Sequence, residues 1–161
     1  MDISADNPSQ LSSSISTPEV PSDKVLLKRG NDIENFVGVY TKHSRDELRK
    51  ILTDCWTPPE SHTFPVVTIG QQNRAFQHQW LKTYKWLAYS ESAEGAFCKW
   101  CVAFAPEIVS RNPTGHLVSC AFKNYKKAKE KLDHHQSCKY HQMTAEMYEN
   151  FMKADKGENQ T

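Results

Sequence analysis

Apolar side chains recur at helical spacing in the first third of the chain. Leu48 and Ile51 lie three positions apart, with a further leucine directly after them, as one face of an α-helix requires. Ser44 and Glu47 precede them with the Ser-x-x-Glu spacing of a capping box. A Pro-Pro pair follows a few residues later, and proline cannot continue a helical hydrogen-bond ladder. The pattern therefore predicts a short helix over residues 45–54.

The middle of the chain alternates between extended and helical patterns. Residues 64–70 are predicted to be extended, and residues 73–83 to be helical because aromatic side chains recur there four positions apart. The segments WLAYS at 86–90 and GAFC at 95–98 flank a short polar turn. Two apolar runs separated in this way predict a β-hairpin.

The last third predicts two helices after a loop. Residues 105–120 contain two prolines and a glycine, which favours a loop. A helix is predicted over 122–134, with its apolar side chains on one face and its lysines roughly opposite. A second helix is predicted over 139–153, where apolar side chains at helical spacing either pack on the module or contact a protein partner. Those side chains are Tyr140, Met143, Met147 and Phe151.

Composition indicates one domain with a small core. Apolar residues make up 38% of the 161 residues, and the mean hydropathy is −0.70. A small hydrophobic core contributes little stability, so an additional stabilising link such as a bound metal ion is favoured. Large aromatic side chains cluster along residues 80–100, and we interpret them as core rather than as a platform for stacking bases. The Ser/Pro-rich residues 1–31 lack apolar periodicity and are predicted to form a disordered acidic tail.

The distribution of charge and the number of cysteines bear on the cellular compartment in which we expect the protein. The formal net charge of +1 is uneven, because residues 1–23 hold four acids and no Lys or Arg, which leaves +5 for the remainder. The five cysteines are an odd number, and no signal peptide or membrane-spanning apolar run is evident. We therefore expect a reducing intracellular compartment, where cysteine more often binds metal than forms disulfides. We do not expect the protein to bind a membrane.

Four residues form a candidate zinc site. Cys98 and Cys101 have the Cys-x₂-Cys spacing that directs two sulfurs at one centre, and His135 and His141 add two imidazoles. Zn²⁺ prefers four such ligands in a tetrahedron. His135 and His141 are six positions apart, and such positions on a continuous helix differ by about 120° in direction, so the helix has to loosen or end between the two histidines. His134 and Cys138 remain competing ligands, because they lie four positions apart.

Several blocks of the chain together resemble a known family. Between about residues 32 and 148 the chain is similar to the TTF-type zinc finger region of hAT-like transposases and their domesticated relatives, the zinc finger MYM-type-like proteins. The blocks are DIENFV at 32–37, LTDCWTPP at 52–59, FP at 64–65, RAFQHQWL at 74–81, WLAYS at 86–90, GAFCKWCVAFA at 95–105, HLVS at 116–119 and FKNYKKAKEKLDHH at 122–135, followed by His141.

The resemblance implies a fold and a ligand set. It implies a small α+β zinc-stabilised module, a β-hairpin plus helices, with additional short N-terminal helices. An N-terminal extension would span 32–72, the zinc finger domain 73–152, and a polar tail 153–161. The family's zinc ligands fall on Cys98, Cys101, His135 and His141.

The chain departs from the family pattern at a few positions. The family usually has Trp at the position of Tyr125, often has Pro at the positions of Lys85 and Ala121, and has Ser or Thr at that of Cys138. Cys138 is therefore an additional thiol near the site. The RNase H-like catalytic domain of the relatives is not among these residues, so we expect no transposase activity.

Two functions follow as expectations. The first is binding of duplex DNA in the nucleus, with phosphate contacts from Lys123, Lys126, Lys127 and Lys131. The second is a protein-interaction or transcriptional co-regulator module, with a partner on the 139–153 helix. An enzyme is not expected, because no oxyanion-stabilising or orienting group accompanies the thiols and imidazoles, and no small-molecule substrate is indicated.

Overall fold

The computed structural model describes residues 29–39, 41–108 and 115–159, with Glu158 and Asn159 described by their backbone alone. Most of the predicted disordered tail lies outside the described residues. A 3₁₀ turn at Ile33–Phe36 is followed by α1 (Arg45–Leu52), β1 (Val66–Ile69), β2 (Gln72–Ala75), α2 (His78–Thr83), β3 (Leu87–Ser90), β4 (Gly95–Cys98), α3 (Lys99–Phe104), a 3₁₀ turn (Ala105–Glu107), α4 (Ala128–Ser137) and α5 (Lys139–Asn159).

The capping box predicted at the start of α1 is confirmed. The Ser44 side chain accepts a hydrogen bond from the backbone N–H of Glu47 at 3.2 Å, and Glu47 Oε1 accepts one from the Ser44 N–H at 2.9 Å. Both bonds satisfy amide groups that the first helical turn leaves without intrahelical partners. The helix ends at Leu52, two residues earlier than predicted.

The described residues contain two separate antiparallel hairpins, β1–β2 and β3–β4. The second was predicted at its observed position. The first was missed, because residues 73–75 were expected to be helical and belong to β2 instead. Gly70 has a φ of 65° and starts the two-residue loop that joins Ile69 to Gln72. Such a left-handed residue favours a tight hairpin turn, so the helix is delayed to His78.

The β3–β4 hairpin lies between two clusters of buried side chains. Successive strand residues face opposite sides, and both faces of this hairpin are covered, so all eight residues are buried. The first cluster comprises Phe76, Tyr84, Trp86, Leu87, Tyr89, Ala96, Cys98, Cys101, Leu117, Val118, Phe122, Tyr125, Ala128 and Leu132. The second comprises Ile33, Leu48, Ile51, Leu52, Ala88, Phe97, Val102, Ala103 and Phe104.

Backbone pairing with β4 shortens the helix that was predicted over 122–134. Phe122 and Ala96 exchange two backbone hydrogen bonds, at 2.8 and 3.0 Å. A Cβ atom on Gly95 would lie 2.7 Å from the Ala121 Cβ, so only glycine allows the segment to approach β4 this closely. Because Phe122 is held as a strand partner, α4 begins only at Ala128, and the predicted start of this helix was wrong.

The last helix, α5, packs across α3 and reaches α1. Met147, Tyr148 and Phe151 pack against the second cluster, so much of its apolar stripe is used inside the module. Near its end, Asp155 accepts hydrogen bonds from Arg49 Nε at 2.8 Å and from Arg45 at 3.4 Å. These contacts fasten α5 to α1. The helix continues to Asn159, further than the predicted residue 153.

Replacing Asp155 with Asn is expected to lower the melting temperature at neutral pH. Hydrogen bonding to Arg49 lowers the pKa of the Asp155 carboxyl. A lowered folded-state pKa contributes stability above the unfolded value of about 4, and this contribution is lost as pH falls through the folded-state pKa. Thermal unfolding followed by circular dichroism should therefore show a gap between wild type and Asp155→Asn that narrows in acid.

Asp46→Asn is the matched control for this comparison. Asp46 also pairs with Arg49, at 3.3 Å, but its side chain is 84% exposed, and exposed ion pairs contribute little. An equal decrease of melting temperature in the two variants would contradict the stabilising role assigned to the Asp155 contacts between α1 and α5.

Candidate metal centre

Cys98 and Cys101 reach the site from the junction of β4 and α3. Cys98 is the last residue of β4 and the N-cap of α3. Its sulfur accepts a hydrogen bond from the backbone N–H of Cys101 at 3.4 Å. The change from strand to helix at this point turns the chain so that both sulfurs face the same interior space. An N–H donor aimed at the sulfur also favours the thiolate form.

The two histidines come from different helices. His135 lies in the last turn of α4 and His141 in the first turn of α5. Cys138 between them has an extended backbone, with φ −66° and ψ 144°. The predicted break between the histidines is confirmed. It allows two side chains that are six positions apart in sequence number to point at one centre.

The four side chains bring their donor atoms within 4.8 Å of one another. Cys98 Sγ lies 3.5 Å from His141 Nδ1, and Cys101 Sγ lies 3.5 Å from His135 Nε2 and 3.7 Å from His141 Nδ1. In a tetrahedral site with Zn–S of about 2.3 Å and Zn–N of about 2.0 Å, sulfur and nitrogen lie about 3.5 Å apart. The observed separations therefore match those that a zinc ion would impose.

The site is closed to solvent, and its two thiols have pKa values shifted in opposite directions. Both sulfurs are fully buried, and His135 and His141 are 4% and 2% exposed. Burial raises the pKa of the Cys98 thiol well above its ordinary value. A hydrogen bond from Cys98 lowers the pKa of Cys101, against burial and with help from His135 and His141. A divalent cation would remove the penalty on the second thiolate, because metal binding deprotonates a coordinating thiol outright.

Aromatic rings and one hydroxyl orient the two imidazoles. Trp86 packs against both histidines, with ring centroids 5.0 Å from each. Trp100 stacks on His141, with ring centroids 5.6 Å apart. The Tyr140 hydroxyl lies 3.4 Å from His135 Nδ1, whereas Nε2 is the nitrogen near the Cys101 sulfur. A partner on Nδ1 leaves Nε2 available as the donor atom, as in many metal sites.

Residues that support the site were not singled out from the sequence. Tyr140 was assigned only to an apolar helix stripe. Thr144 was not considered, although its buried hydroxyl lies 3.5 Å from Cys101 Sγ and donates to the His141 carbonyl at 2.9 Å. From the sequence alone, Tyr140 and Thr144 give little indication that they support a metal site. Their contacts with the four clustered residues depend on where α5 starts.

The two competing candidate ligands, His134 and Cys138, do not belong to the cluster of donor atoms. His134 is exposed, and the Cys138 thiol donates to the His134 carbonyl at 3.5 Å. Within the described residues, the only group of three or more His, Cys, Asp or Glu side chains able to hold a metal is Cys98, Cys101, His135 and His141.

The four lysines predicted to contact DNA do not share one helix face. Lys123 and Lys126 lie in the irregular segment before α4, and Lys127 is its N-cap with a φ of 53°. All three are exposed. Lys131 lies within α4, is half-buried, and donates to the Asn124 carbonyl at 3.4 Å. Of these four lysines, the three exposed ones therefore lie within residues 123–127.

Comparison with protein-family models, curated proteins and solved structures gives no match. The resemblance to TTF-type zinc fingers therefore stays a proposal. Within the described ranges, no helix is both long enough and apolar enough to cross a bilayer.

Substitution of any one of the four clustered side chains is expected to abolish binding of one zinc per chain. The variants are Cys98→Ser, Cys101→Ser, His135→Ala and His141→Ala, measured by native mass spectrometry after equilibration with zinc. Loss of the ion should also lower the helical circular dichroism signal, because structural zinc contributes about 10–16 kcal/mol to folding in finger peptides.

His134→Ala and Cys138→Ser serve as controls, since they change the same residue types a few positions away. Both are expected to retain one zinc. The assignment would be wrong if Cys138→Ser released the ion while His135→Ala kept it.

Proposed function

We propose that the chain is a zinc-stabilised, non-enzymatic module. The observation that carries this proposal is the convergence of two buried sulfurs and two buried imidazole nitrogens, with sulfur-to-nitrogen distances of 3.5, 3.5 and 3.7 Å. Thiolate and imidazole donors together favour Zn²⁺ over the harder Mg²⁺ and Ca²⁺, which take oxygen ligands. Four protein ligands fill a tetrahedron and leave no position for a substrate, so the ion would have a structural role.

The proposed biochemical role of the module is to bind duplex DNA. Support comes from the distribution of charge, since no Asp or Glu occurs between Glu107 and Glu130, a stretch that contains five Lys or Arg residues. Four of these cations, Lys123, Lys126, Lys127 and Lys129, are exposed, and Lys129 pairs with Asp133. A fixed group of cations binds the phosphate backbone and releases counterions. The resemblance to the zinc finger region of hAT-like transposases adds to this support, and with it we propose a nuclear location.

The second candidate is a protein-interaction module that uses the 139–153 segment. It receives less support, because Met147, Tyr148 and Phe151 pack on the second cluster of the module itself. The remaining surface of α5 is mostly polar and offers no continuous apolar stripe among its described side chains.

Neutralising two exposed lysines is expected to weaken DNA binding and its dependence on salt. For the double variant Lys123→Gln, Lys126→Gln, the slope of log affinity against log salt should fall by about 0.9 for each phosphate that the protein no longer neutralises. Fluorescence anisotropy of a labelled random-sequence duplex over a salt series measures this slope. The variant should still bind one zinc, because neither lysine belongs to the metal centre.

Lys50→Gln is the matched control, since Lys50 is an exposed lysine on α1, away from the 123–127 segment. It is expected to keep the wild-type slope. Absence of duplex binding by the zinc-loaded protein at low salt would refute the DNA-binding role and leave the metal centre unaffected.

A further inference from the structure

A cavity of about 320 Å³ lies beside the metal centre, between the segment that precedes α4 and the junction of α4 with α5. Its wall is mostly apolar and includes Leu117, Phe122 and Tyr140, together with His135. Small-molecule sites are concave, have volumes of about 300–1,000 Å³, and combine an apolar lining with a few polar groups. The cavity therefore has the size and the lining of a site for one small ligand, which the metal centre itself does not explain.

Two polar side chains that line the cavity have one hydrogen-bonding atom fixed and another left over. Asn124 Oδ1 accepts a hydrogen bond from the backbone N–H of Lys126 at 3.3 Å, and the other end of this amide carries two N–H donors. His116 Nδ1 lies 3.4 Å from the Ala121 carbonyl, so this nitrogen is the donor, and Nε2 of the neutral ring is an acceptor. Both side chains are exposed. Together they offer one donor group and one acceptor to the edge of a ligand.

The charge at the cavity is positive. Of the described residues that line it, Lys131 carries a positive charge and none is an Asp or a Glu. One proton of the Lys131 ammonium is donated to the Asn124 carbonyl at 3.4 Å, and two more remain for an anion. Asn124 itself belongs to residues 123–127, so the cavity borders the segment that supports the proposed DNA-binding role. A ligand with an aromatic body, a polar edge and an anionic group would match these features.

A nucleotide combines these features, because its base has an aromatic face and a hydrogen-bonding edge and its phosphate is anionic. Inside a duplex the base is stacked and paired, so it reaches a protein pocket only when it is unpaired or flipped out of the helix. Stacking on aromatic side chains then replaces stacking on neighbouring bases. Phe122 and Tyr140 supply aromatic surface in the cavity, and the exposed imidazoles of His116 and His134 line it as well.

We propose that this cavity binds one unpaired nucleotide of DNA, with its base in the cavity and a neighbouring phosphate on Lys131. Asn124 and His116 contact the edge of the base, whereas Phe122 and Tyr140 contact its face. The protein thereby distinguishes DNA that has an unpaired base from a regular duplex, which phosphate contacts alone do not achieve. This inference rests on the proposed DNA-binding function.

Fluorescence anisotropy of the zinc-loaded full chain with three duplexes of otherwise identical sequence tests the proposal. One duplex is fully paired, one contains a single extra adenine without a partner, and one contains an abasic sugar at that position. The adenine duplex should bind about tenfold more tightly than the paired duplex, within the range that stacking of one base on aromatic side chains provides. The abasic duplex should lose most of this gain, because it interrupts the helix in a similar way but has no base. Equal affinity for the adenine and abasic duplexes would overturn the proposal.

Two variants separate the contact with the base from the contact with the phosphate. Asn124→Ala should reduce the preference for the adenine over the abasic duplex by about fivefold, as expected for the loss of one hydrogen bond. Lys131→Gln should weaken binding of both of these duplexes and leave the affinity for the paired duplex unchanged. Asn150→Ala and Lys153→Gln, at exposed positions of α5 outside the lining of the cavity, are the matched controls and should behave as wild type. Unchanged binding in both Asn124→Ala and Lys131→Gln would contradict the assignment of the cavity.

A cysteine at the cavity gives a readout that does not depend on affinity. Cys138 lines the cavity and is half-buried, so a bound base should slow its alkylation by iodoacetamide, which mass spectrometry of the peptides measures. At saturating DNA, the adenine duplex should protect Cys138 more than the abasic duplex does. The exposed Cys120 should react at the same rate in the two complexes. Equal protection of Cys138 in both complexes would show that the base does not enter the cavity.

The remaining outcomes separate this inference from the proposed function. Equal binding of all three duplexes would overturn the cavity proposal and leave the DNA-binding role intact. Protection of Cys138 by free adenosine monophosphate, without any preference for DNA that carries an unpaired base, would also overturn it and would assign the cavity to a free nucleotide. Failure of wild type to bind any of the duplexes would refute the DNA-binding role together with the inference that rests on it.

Discussion

The convergence of Cys98, Cys101, His135 and His141 on one buried centre is the constraint on which the rest of the structure depends. The centre joins the end of the β3–β4 hairpin to the junction of α4 and α5, parts of the chain that are distant in sequence. An ion there would contribute about 10–16 kcal/mol, comparable with the whole stability of about 5–15 kcal/mol of an ordinary domain. In a chain that is only 38% apolar, such an ion would add to the packing and to the Asp155 hydrogen bonds that hold these helices.

The two core clusters show how the metal centre and the N-terminal region support each other. The β3–β4 hairpin contributes alternate residues to both clusters, so the Cys98–Cys101 segment is attached to a hairpin that α1 and the 3₁₀ turn at Ile33–Phe36 also cover. Asp32 strengthens this attachment, because its buried carboxylate accepts backbone hydrogen bonds from Glu34 and from Glu91 in the β3–β4 turn, both at 2.9 Å. Residues 32–52 and the β3–β4 hairpin are therefore joined through the second cluster.

Local signals in the sequence were sufficient for some elements and insufficient for others. The Ser44–Glu47 capping box and the β3–β4 hairpin depend on neighbouring residues, and both were predicted correctly. The predicted helix over 122–134 failed at its start, because pairing of Phe122 with Ala96 is a contact between distant residues that periodicity does not reveal. The β1–β2 hairpin was missed for a different reason, since aromatic spacing at 76 and 80 masked the turn signal of Gly70. The four clustered metal-site residues were identified from residue type and spacing, whereas supporting side chains such as Tyr140 and Thr144 depend on three-dimensional placement.

The most direct test of the central claim is X-ray absorption at the zinc K edge on the purified full chain. The account predicts one zinc per chain with two sulfur neighbours at about 2.3 Å and two nitrogen neighbours at about 2.0–2.1 Å. A first shell with three sulfurs would show that Cys138 replaces a histidine. A shell of oxygen and nitrogen alone, or no bound zinc, would contradict the claim that these four side chains hold the module together around one ion.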